Sequence, residues 1–189
     1  APVVTPEVYR RTMDEIILPT VRGMAADGCE FTGFLYAGLM IDENGAPRTI
    51  EFNCRFGDPE TQPIMSRLDS DLADLVQAAL DRRLDKVQAE WNPQTAVGVV
   101  LAAAGYPDSP RKGDAVEGME AANKIGKVFH AGTAVSDGHT VTNGGRVLCV
   151  VGLGNDVKQA KAKAYEAVAK IHFEGMQYRK DIADKAIKS

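Results

Sequence analysis

Residues Gly33 to Glu60 have the sequence GFLYAGLMIDENGAPRTIEFNCRFGDPE, which carries the strongest structural signal in the chain. It contains two strand-like runs, at positions 33–41 and 48–54. Between them lies Asn44-Gly45, a dipeptide that suits a two-residue type I′ turn because both of its positions need a positive φ. The sequence therefore predicts an antiparallel hairpin.

Side chains alternate between the two faces of a strand, and this alternation sorts the second run into two sets. The apolar set is expected to face the core and comprises Ile50, Phe52 and Cys54. The polar set shares the other face and comprises Glu51, Asn53 and Arg55.

The polar set could bind a metal ion and a phosphoryl group as well as face solvent. A carboxylate and an amide oxygen two residues apart suit Mg²⁺, which takes oxygen ligands and usually keeps waters and substrate phosphates in its other positions. A neighbouring guanidinium would stabilise charge on a transferring phosphoryl group. The alternative interpretation is an ordinary solvent-facing strand.

The predicted turn also determines which residues face each other. With a two-residue loop, Glu51 lies opposite Gly38, which leaves space beside the carboxylate. Thr49 then lies opposite Met40 on the same face.

The loop after the second strand, Phe56–Gln62, concentrates polar side chains between prolines and a glycine, among them Asp58 and Glu60. Loops on rigid scaffolds often carry function. The alternative is a capped connection into a helix that begins near Pro63.

Helices are predicted on both sides of the hairpin. Thr5 and Pro6 suit the cap and first position of an N-terminal helix, which Pro19 should kink. After the loop, a helical region restarts at Asp69 or Ser70.

A polar stretch, Asp85–Pro93, is the predicted domain boundary, with Trp91 as a packing anchor. Beyond it the sequence predicts strands, at positions 96–104, 127–133 and 146–153. A helix capped by Asn155 follows, and residues 178–189 are expected to hold one short helix. The predicted fold class is α+β with mostly antiparallel strands.

Composition excludes several classes of protein. The 189 residues are 44% hydrophobic and 25% charged, an ordinary globular mixture. A net charge of −4 with scattered basic residues argues against nucleic acid as a partner. The sequence contains no run of 18 apolar residues, so no membrane span is expected. Its three cysteines form no C-x-x-C pair, which favours a cytoplasmic location.

The hairpin sequence, from Thr32 to Met40 and from Ile50 to Gln62, resembles the phosphoribosylamine–glycine ligase family of the ATP-grasp superfamily. The segments FHAGT at 129–133 and TNGGRVL at 142–148 resemble the C-terminal domain of that family. The resemblance implies an ATP-grasp C-terminal lobe at residues 1–92 and a small α+β C-terminal domain at residues 93–189.

The resemblance also implies a reaction and its residues. ATP phosphorylates glycine, and 5-phosphoribosylamine displaces the phosphate to give glycinamide ribonucleotide. Glu51 and Asn53 would be Mg²⁺ or Mn²⁺ ligands, and Arg55 would steady the transferring phosphate. Asp58 and Glu60 would order the glycine end of the site.

Met40 would contact the adenine of ATP. The alternative interpretation is a methionine in the hydrophobic core. Independently of the resemblance, Arg146 and the Asn143-Gly144-Gly145 backbone suit a substrate phosphate or carboxylate, with a simple hairpin turn as the alternative. His130 is interpreted as a structural histidine.

Two features depart from the family pattern. The strand before Glu51 places Gly38 where many ATP-grasp enzymes carry another metal carboxylate. The first lobe, with its nucleotide-clamping lysine and glycine-rich loop, is missing, so we expect the chain to be a C-terminal portion that is inactive without the N-terminal portion. The alternatives are another ATP-grasp ligase or carboxylase, and a non-catalytic nucleotide-binding or interaction domain.

Overall fold

The computed structural model describes residues 2–188 and has the mixed α+β architecture that the sequence predicts. These residues divide into two compact units, one made of residues 2–58 with Ser70–Glu90, the other of residues 59–69 with Trp91–Lys188. The domain division at residues 92 and 93 stays a prediction, and its outer ends, Ala1 and Ser189, lie outside the described residues.

The first unit begins with α1 (Pro6–Thr12), which continues through a π-helical turn (Met13–Ile17) into α2 (Leu18–Ala26). Thr5 caps α1, because its hydroxyl accepts a hydrogen bond from the Val8 N–H at 3.2 Å. The second residue of α2 is a proline, which lacks the N–H that a regular α-helix would need there. The kink predicted at this proline stays a prediction, and the structure shows a π-helical turn just before it.

The hairpin consists of β1 (Tyr36–Ile41) and β2 (Pro47–Asn53), but its turn differs from the prediction. The Asp42 N–H donates to the Ala46 carbonyl at 3.1 Å, so the loop between these residues holds three residues instead of two. In this loop Gly45 has a positive φ, of 72°, and Asn44 does not. The connection is therefore a three-residue loop with glycine in the left-handed position.

The side chain of Asp42 holds this loop together. One carboxylate oxygen accepts the N–H groups of Asn44 and Ala46, each at 2.9 Å. The pKa of Asp42 lies below its usual value, and the hydrogen bond from the Ala46 N–H is the largest cause of this shift.

The register near Glu51 is nevertheless the predicted one, because a second irregularity compensates for the first. The longer loop shifts the pairs next to it, so Met40 lies opposite Arg48 and the predicted pair with Thr49 is wrong. A bulge at Ile50 then adds one residue to β2 and brings Glu51 opposite Gly38.

The apolar face of β2 is not buried, contrary to the prediction. Ile50 is 65% exposed, Phe52 is 39% exposed, and Cys54 is exposed as well. Within the described residues this unit buries few hydrophobic side chains, so it does not form a core that covers this face of the hairpin. The buried hydrophobic residues of this unit are Val8 and Ala78.

The helical region after the loop forms two helices, α3 (Thr61–Met65) in the second unit and α4 (Leu72–Leu80) in the first. The predicted restart at Asp69 or Ser70 is wrong. Asp71 caps α4, since its carboxylate accepts the N–H of the second helical residue at 2.7 Å.

A three-stranded antiparallel sheet forms the centre of the second unit, in the order β3 (Thr95–Ala102), β7 (Arg146–Gly154), β4 (Lys127–His130). Helix α6 (Val157–Val168) packs on this sheet, and its cap is Asp156 instead of the predicted Asn155. A Cβ on Gly152 would overlap the Ala160 carbonyl oxygen, so glycine permits the close approach of helix and strand. The largest fully buried side chains belong to this unit, among them Phe173, Leu101 and Leu148.

A second hairpin, β5 (Thr133–Ser136) with β6 (His139–Thr142), was not predicted. Its two-residue turn is Asp137-Gly138, and both residues have a positive φ, of 49° and 79°. Two short helices complete the unit, α5 (Met119–Asn123) and the expected tail helix α7 (Asp184–Lys188).

Two further observations concern exposure. Trp91 is 47% exposed, so the prediction of a packing anchor is wrong. Within residues 2–188, none of the helices combines the length and apolar character that a membrane crossing requires.

Candidate functional site

Three polar side chains at the end of β2 form a hydrogen-bonded row in the first unit. The Asn53 amide donates to a Glu51 carboxylate oxygen at 3.2 Å, and the Arg55 guanidinium donates to the Asn53 amide oxygen at 3.2 Å. Glu51 and Arg55 are exposed and Asn53 is half-buried. The geometric prediction that these groups lie on the same side is confirmed, although Arg55 lies on a bend just after the strand.

The surroundings position both ends of this row. At one end, a Cβ added to Gly38 would lie 3.2 Å from the Glu51 Cγ, so glycine leaves the space that the carboxylate uses. At the other end, Arg55 donates a second hydrogen bond to the Phe56 carbonyl at 2.8 Å. The Phe56 ring stacks on Phe34 with ring centroids 3.9 Å apart, which fixes the backbone that Arg55 contacts.

The donor set fits a small oxygen-seeking cation. Rotation of the Asn53 amide by half a turn would exchange its nitrogen and oxygen and place two oxygens about 3 Å apart. The same rotation would release the Arg55 guanidinium from the amide oxygen. Neighbouring ligands of octahedral Mg²⁺ have about this separation, because each lies about 2.1 Å from the metal. Within residues 2–188 no group of three or more His, Cys, Asp or Glu side chains forms a metal cage. One carboxylate with one amide is the sparse protein ligation that Mg²⁺ commonly has when phosphates supply further oxygens.

Two more predicted site residues belong to the first unit. Met40 is 60% exposed, and the alternation of β1 places it on the face of Gly38. The alternative of a core methionine is therefore wrong. Asp58 is exposed on the turn that follows β2.

The remaining predicted residues belong to the second unit. Glu60 is half-buried at the position before α3, and its side chain makes no capping hydrogen bond. Arg146 is the first residue of β7 and is half-buried, with its Nε donating to the Tyr106 hydroxyl at 3.1 Å. His130, which was interpreted as structural, has its Nδ1 3.0 Å from the Thr133 hydroxyl oxygen.

The segment before Arg146 is not the hairpin turn that was its alternative interpretation. It connects β6 with β7, which belong to different sheets. The backbones approach closely here, since a Cβ on Gly132 would lie 2.7 Å from the Gly144 Cα.

The sequence analysis missed Tyr106, whose hydroxyl holds Arg146. A Cβ on Gly145 would overlap the Tyr106 ring, so the residue before the arginine leaves room for this ring. The two partners lie 40 positions apart in the chain, and no local pattern in the sequence indicates their contact.

Two family models match the chain. The model described as "Phosphoribosylglycinamide synthetase, ATP-grasp (A) domain" matches residues 1–61, which include the Glu51–Arg55 row. The model described as "Phosphoribosylglycinamide synthetase, C domain" matches residues 96–185, which include Arg146.

Curated relatives match almost the whole chain at high identity. A phosphoribosylamine–glycine ligase of Neisseria meningitidis serogroup A is 74% identical over 188 residues, which is 99% of this chain and 44% of the relative. A protein of the same name from Pseudomonas aeruginosa is 62% identical over the same shares. The chain thus spans less than half the length of these relatives.

Solved structures of similar fold include a member of the same family. A crystal structure of phosphoribosylamine–glycine ligase from Thermotoga maritima has a TM-score of 0.81 and 40% identity, over 95% of this chain and 44% of that chain. N5-carboxyaminoimidazole ribonucleotide synthetase from the same organism has a TM-score of 0.54 at 15% identity, over 83% of this chain and 41% of that chain. The second likeness concerns the fold alone.

Proposed function

Because the chain belongs to the phosphoribosylamine–glycine ligase family, we propose that the whole protein joins glycine to 5-phosphoribosylamine at the expense of ATP. In the first step a glycine carboxylate oxygen attacks the γ-phosphorus, the bond to the β-phosphate oxygen breaks, and ADP leaves. In the second step the amine nitrogen attacks the carbonyl carbon of glycyl phosphate. Phosphate leaves, the nitrogen loses a proton to solvent, and glycinamide ribonucleotide results.

The observation that carries this proposal is the hydrogen-bonded row at the end of β2. Glu51 and Asn53 would hold Mg²⁺ or Mn²⁺, both of which accept oxygen ligands. The bound cation would offset the charge of the ATP phosphates.

Arg55 has a separate role in the proposal. Its hydrogen bond to the Phe56 carbonyl holds the guanidinium next to Asn53. Once the Asn53 amide oxygen has turned toward the metal, four of the five N–H donors of Arg55 remain for other acceptors. These donors would bind the γ-phosphate and then the acyl phosphate, where charge develops during transfer.

The other candidate residues would bind substrates. Met40 would contact the adenine of ATP through its exposed side chain. Asp58 and Glu60 would order glycine, and Arg146, held by Tyr106, would bind a substrate phosphate or carboxylate.

The chain by itself is expected to give no turnover, since both lobes of an ATP-grasp enzyme must close on ATP to align the reacting groups. We propose that the N-terminal portion found in the longer relatives supplies the first lobe. Incubation of the 189-residue chain with glycine, phosphoribosylamine and ATP should release no ADP above background. Robust product formation by this polypeptide would contradict the need for a second lobe.

The test of the site uses Glu51→Gln in the whole protein. This change keeps the size of the side chain and removes its charge, so we expect kcat/KM to fall at least about 100-fold and the Mg²⁺ requirement to rise. Glu43→Gln, which alters an exposed glutamate in the hairpin loop, is the matched control and should leave turnover unchanged. Normal Mg²⁺-dependent turnover of a folded Glu51→Gln protein would refute the proposed site.

A further inference from the structure

The second unit contains a cavity that the proposed reaction does not use. Its volume is about 550 Å³, within the range of small-molecule sites. Segments from four parts of the unit line it, namely the end of α3 with the residues after it, the connection from α5 to β4, and parts of β7 and α6. None of its lining residues is among the candidate ligase residues.

About half of the lining of this cavity is aliphatic, and the rest is polar. Met65, Leu68, Ile125 and Leu153 belong to the aliphatic part, and all of them are half-buried. Half-buried aliphatic side chains around an open volume favour an occupant with an apolar body, because its burial removes apolar surface from water.

The charged groups that line the cavity are all positive. Lys127 and Lys163 are both exposed, and neither forms an ion pair within the described residues. No carboxylate contributes to the lining. The Lys127 ammonium lies 5.2 Å from the centre of the Phe129 ring, a weak contact that an anion can replace.

Neutral donors accompany the lysines. Asn123 accepts the Val128 N–H at 2.9 Å through its amide oxygen, which leaves its NH₂ group free to donate. Donors and cations without matching carboxylates select an anion.

From these observations we propose that the cavity binds a small organic phosphate with an apolar body. Two ammonium groups match the double charge of a phosphate monoester better than the single charge of a carboxylate. The aliphatic side chains of the lining would hold the organic part, which inorganic phosphate lacks. This inference stands apart from the ligase reaction, because it rests on residues of the second unit that the reaction does not engage.

Phenyl phosphate is a suitable probe, with inorganic phosphate and phenol as its two halves. The readouts on the 189-residue chain are the fluorescence of Trp91, whose backbone pairs with Leu68, and the amide chemical shifts of Ile125 and Gly126. We expect phenyl phosphate to bind at least tenfold more tightly than either half. Equal affinity for phenyl phosphate and inorganic phosphate would mean that surface lysines alone bind the anion, and it would overturn the proposal.

Substitutions identify the cations. Lys127→Gln and Lys163→Gln should each weaken phenyl phosphate binding about tenfold, since a hydrogen bond to a charged group typically contributes this much. Lys158→Gln, on the same helix as Lys163 but outside the cavity lining, is the matched control and should bind normally. Because all three lysines are exposed, the variants should fold, and circular dichroism verifies this. Unchanged affinity in the folded double variant would overturn the proposal.

Discussion

Gly38→Ala in the whole protein tests whether the space beside Glu51 matters for the reaction. The new Cβ would lie 3.2 Å from the Glu51 Cγ, whereas carbon atoms in ordinary contact are about 3.5–4.0 Å apart. The carboxylate must therefore move by about 0.5 Å. Because a displacement of about 1 Å at a reacting centre costs about 100-fold in rate, we expect turnover to fall about tenfold.

The same substitution should not lower stability. Glycine in a strand costs about 0.5–1 kcal/mol relative to alanine, and the side chain that must move is exposed and flexible. Loss of activity with an unchanged or higher free energy of unfolding would separate displacement of Glu51 from damage to the fold.

Two further variants make this experiment decisive. Gly38→Val adds two more carbons against the carboxylate and should reduce turnover further than Gly38→Ala. Ala37→Ser adds one atom on the opposite face of β1, where its pair is Phe52, and should leave turnover unchanged. Steady-state rates at varied Mg²⁺ concentration measure the effect. Full Mg²⁺-dependent activity in Gly38→Val would refute the assignment of Glu51.

Three other predictions concern the fold of the 189-residue chain. Gly152→Ala should lower the free energy of unfolding of the second unit by about 3 kcal/mol, because the new methyl group overpacks against α6. Urea titration with Trp91 fluorescence measures this change. A loss below about 0.5 kcal/mol would contradict the packing described. Asp156→Ala should cost about 1 kcal/mol in the same assay because it removes the cap of α6, whereas Asp156→Asn should restore most of the loss. The pKa of Asp42 lies below its usual value, so its contribution to stability is present above the unfolded pKa and is lost as pH falls through the folded pKa. The Ala46 amide shift should follow this titration in wild type, and a flat shift from pH 6 to pH 2 would contradict the hydrogen bond.

The polar row could be predicted from the sequence because its geometry is local. Alternation along a strand places Glu51 and Asn53 on one face whatever the rest of the chain does. The hydrogen bond that joins them links side chains two residues apart. The contact of Tyr106 with Arg146 could not be predicted, because it depends on how a loop packs against a strand that lies 40 residues further along the chain.

Burial of the apolar face was predicted wrongly for a related reason. Alternation tells which side chains share a face, but it does not tell whether a second layer covers that face. Ile50 and Phe52 were both predicted to be buried and are 65% and 39% exposed, because their unit has few buried hydrophobic residues to cover the hairpin. In the second unit, α6 covers the sheet and the valines of β7 are buried.

The bulge at Ile50 determines which face of β2 carries Glu51, because the hairpin loop alone would orient β2 the other way. A three-residue loop followed by regular pairing would set Gly38 opposite Ile50. Glu51 would then be on the face away from Met40, since a shift of one residue exchanges the two faces of a strand. The extra residue restores the pair of Gly38 with Glu51, so the carboxylate lies beside the one β1 position that has no side chain. Bulges commonly redirect side chains next to functional sites, and this one places the proposed metal ligands on the face that carries Met40.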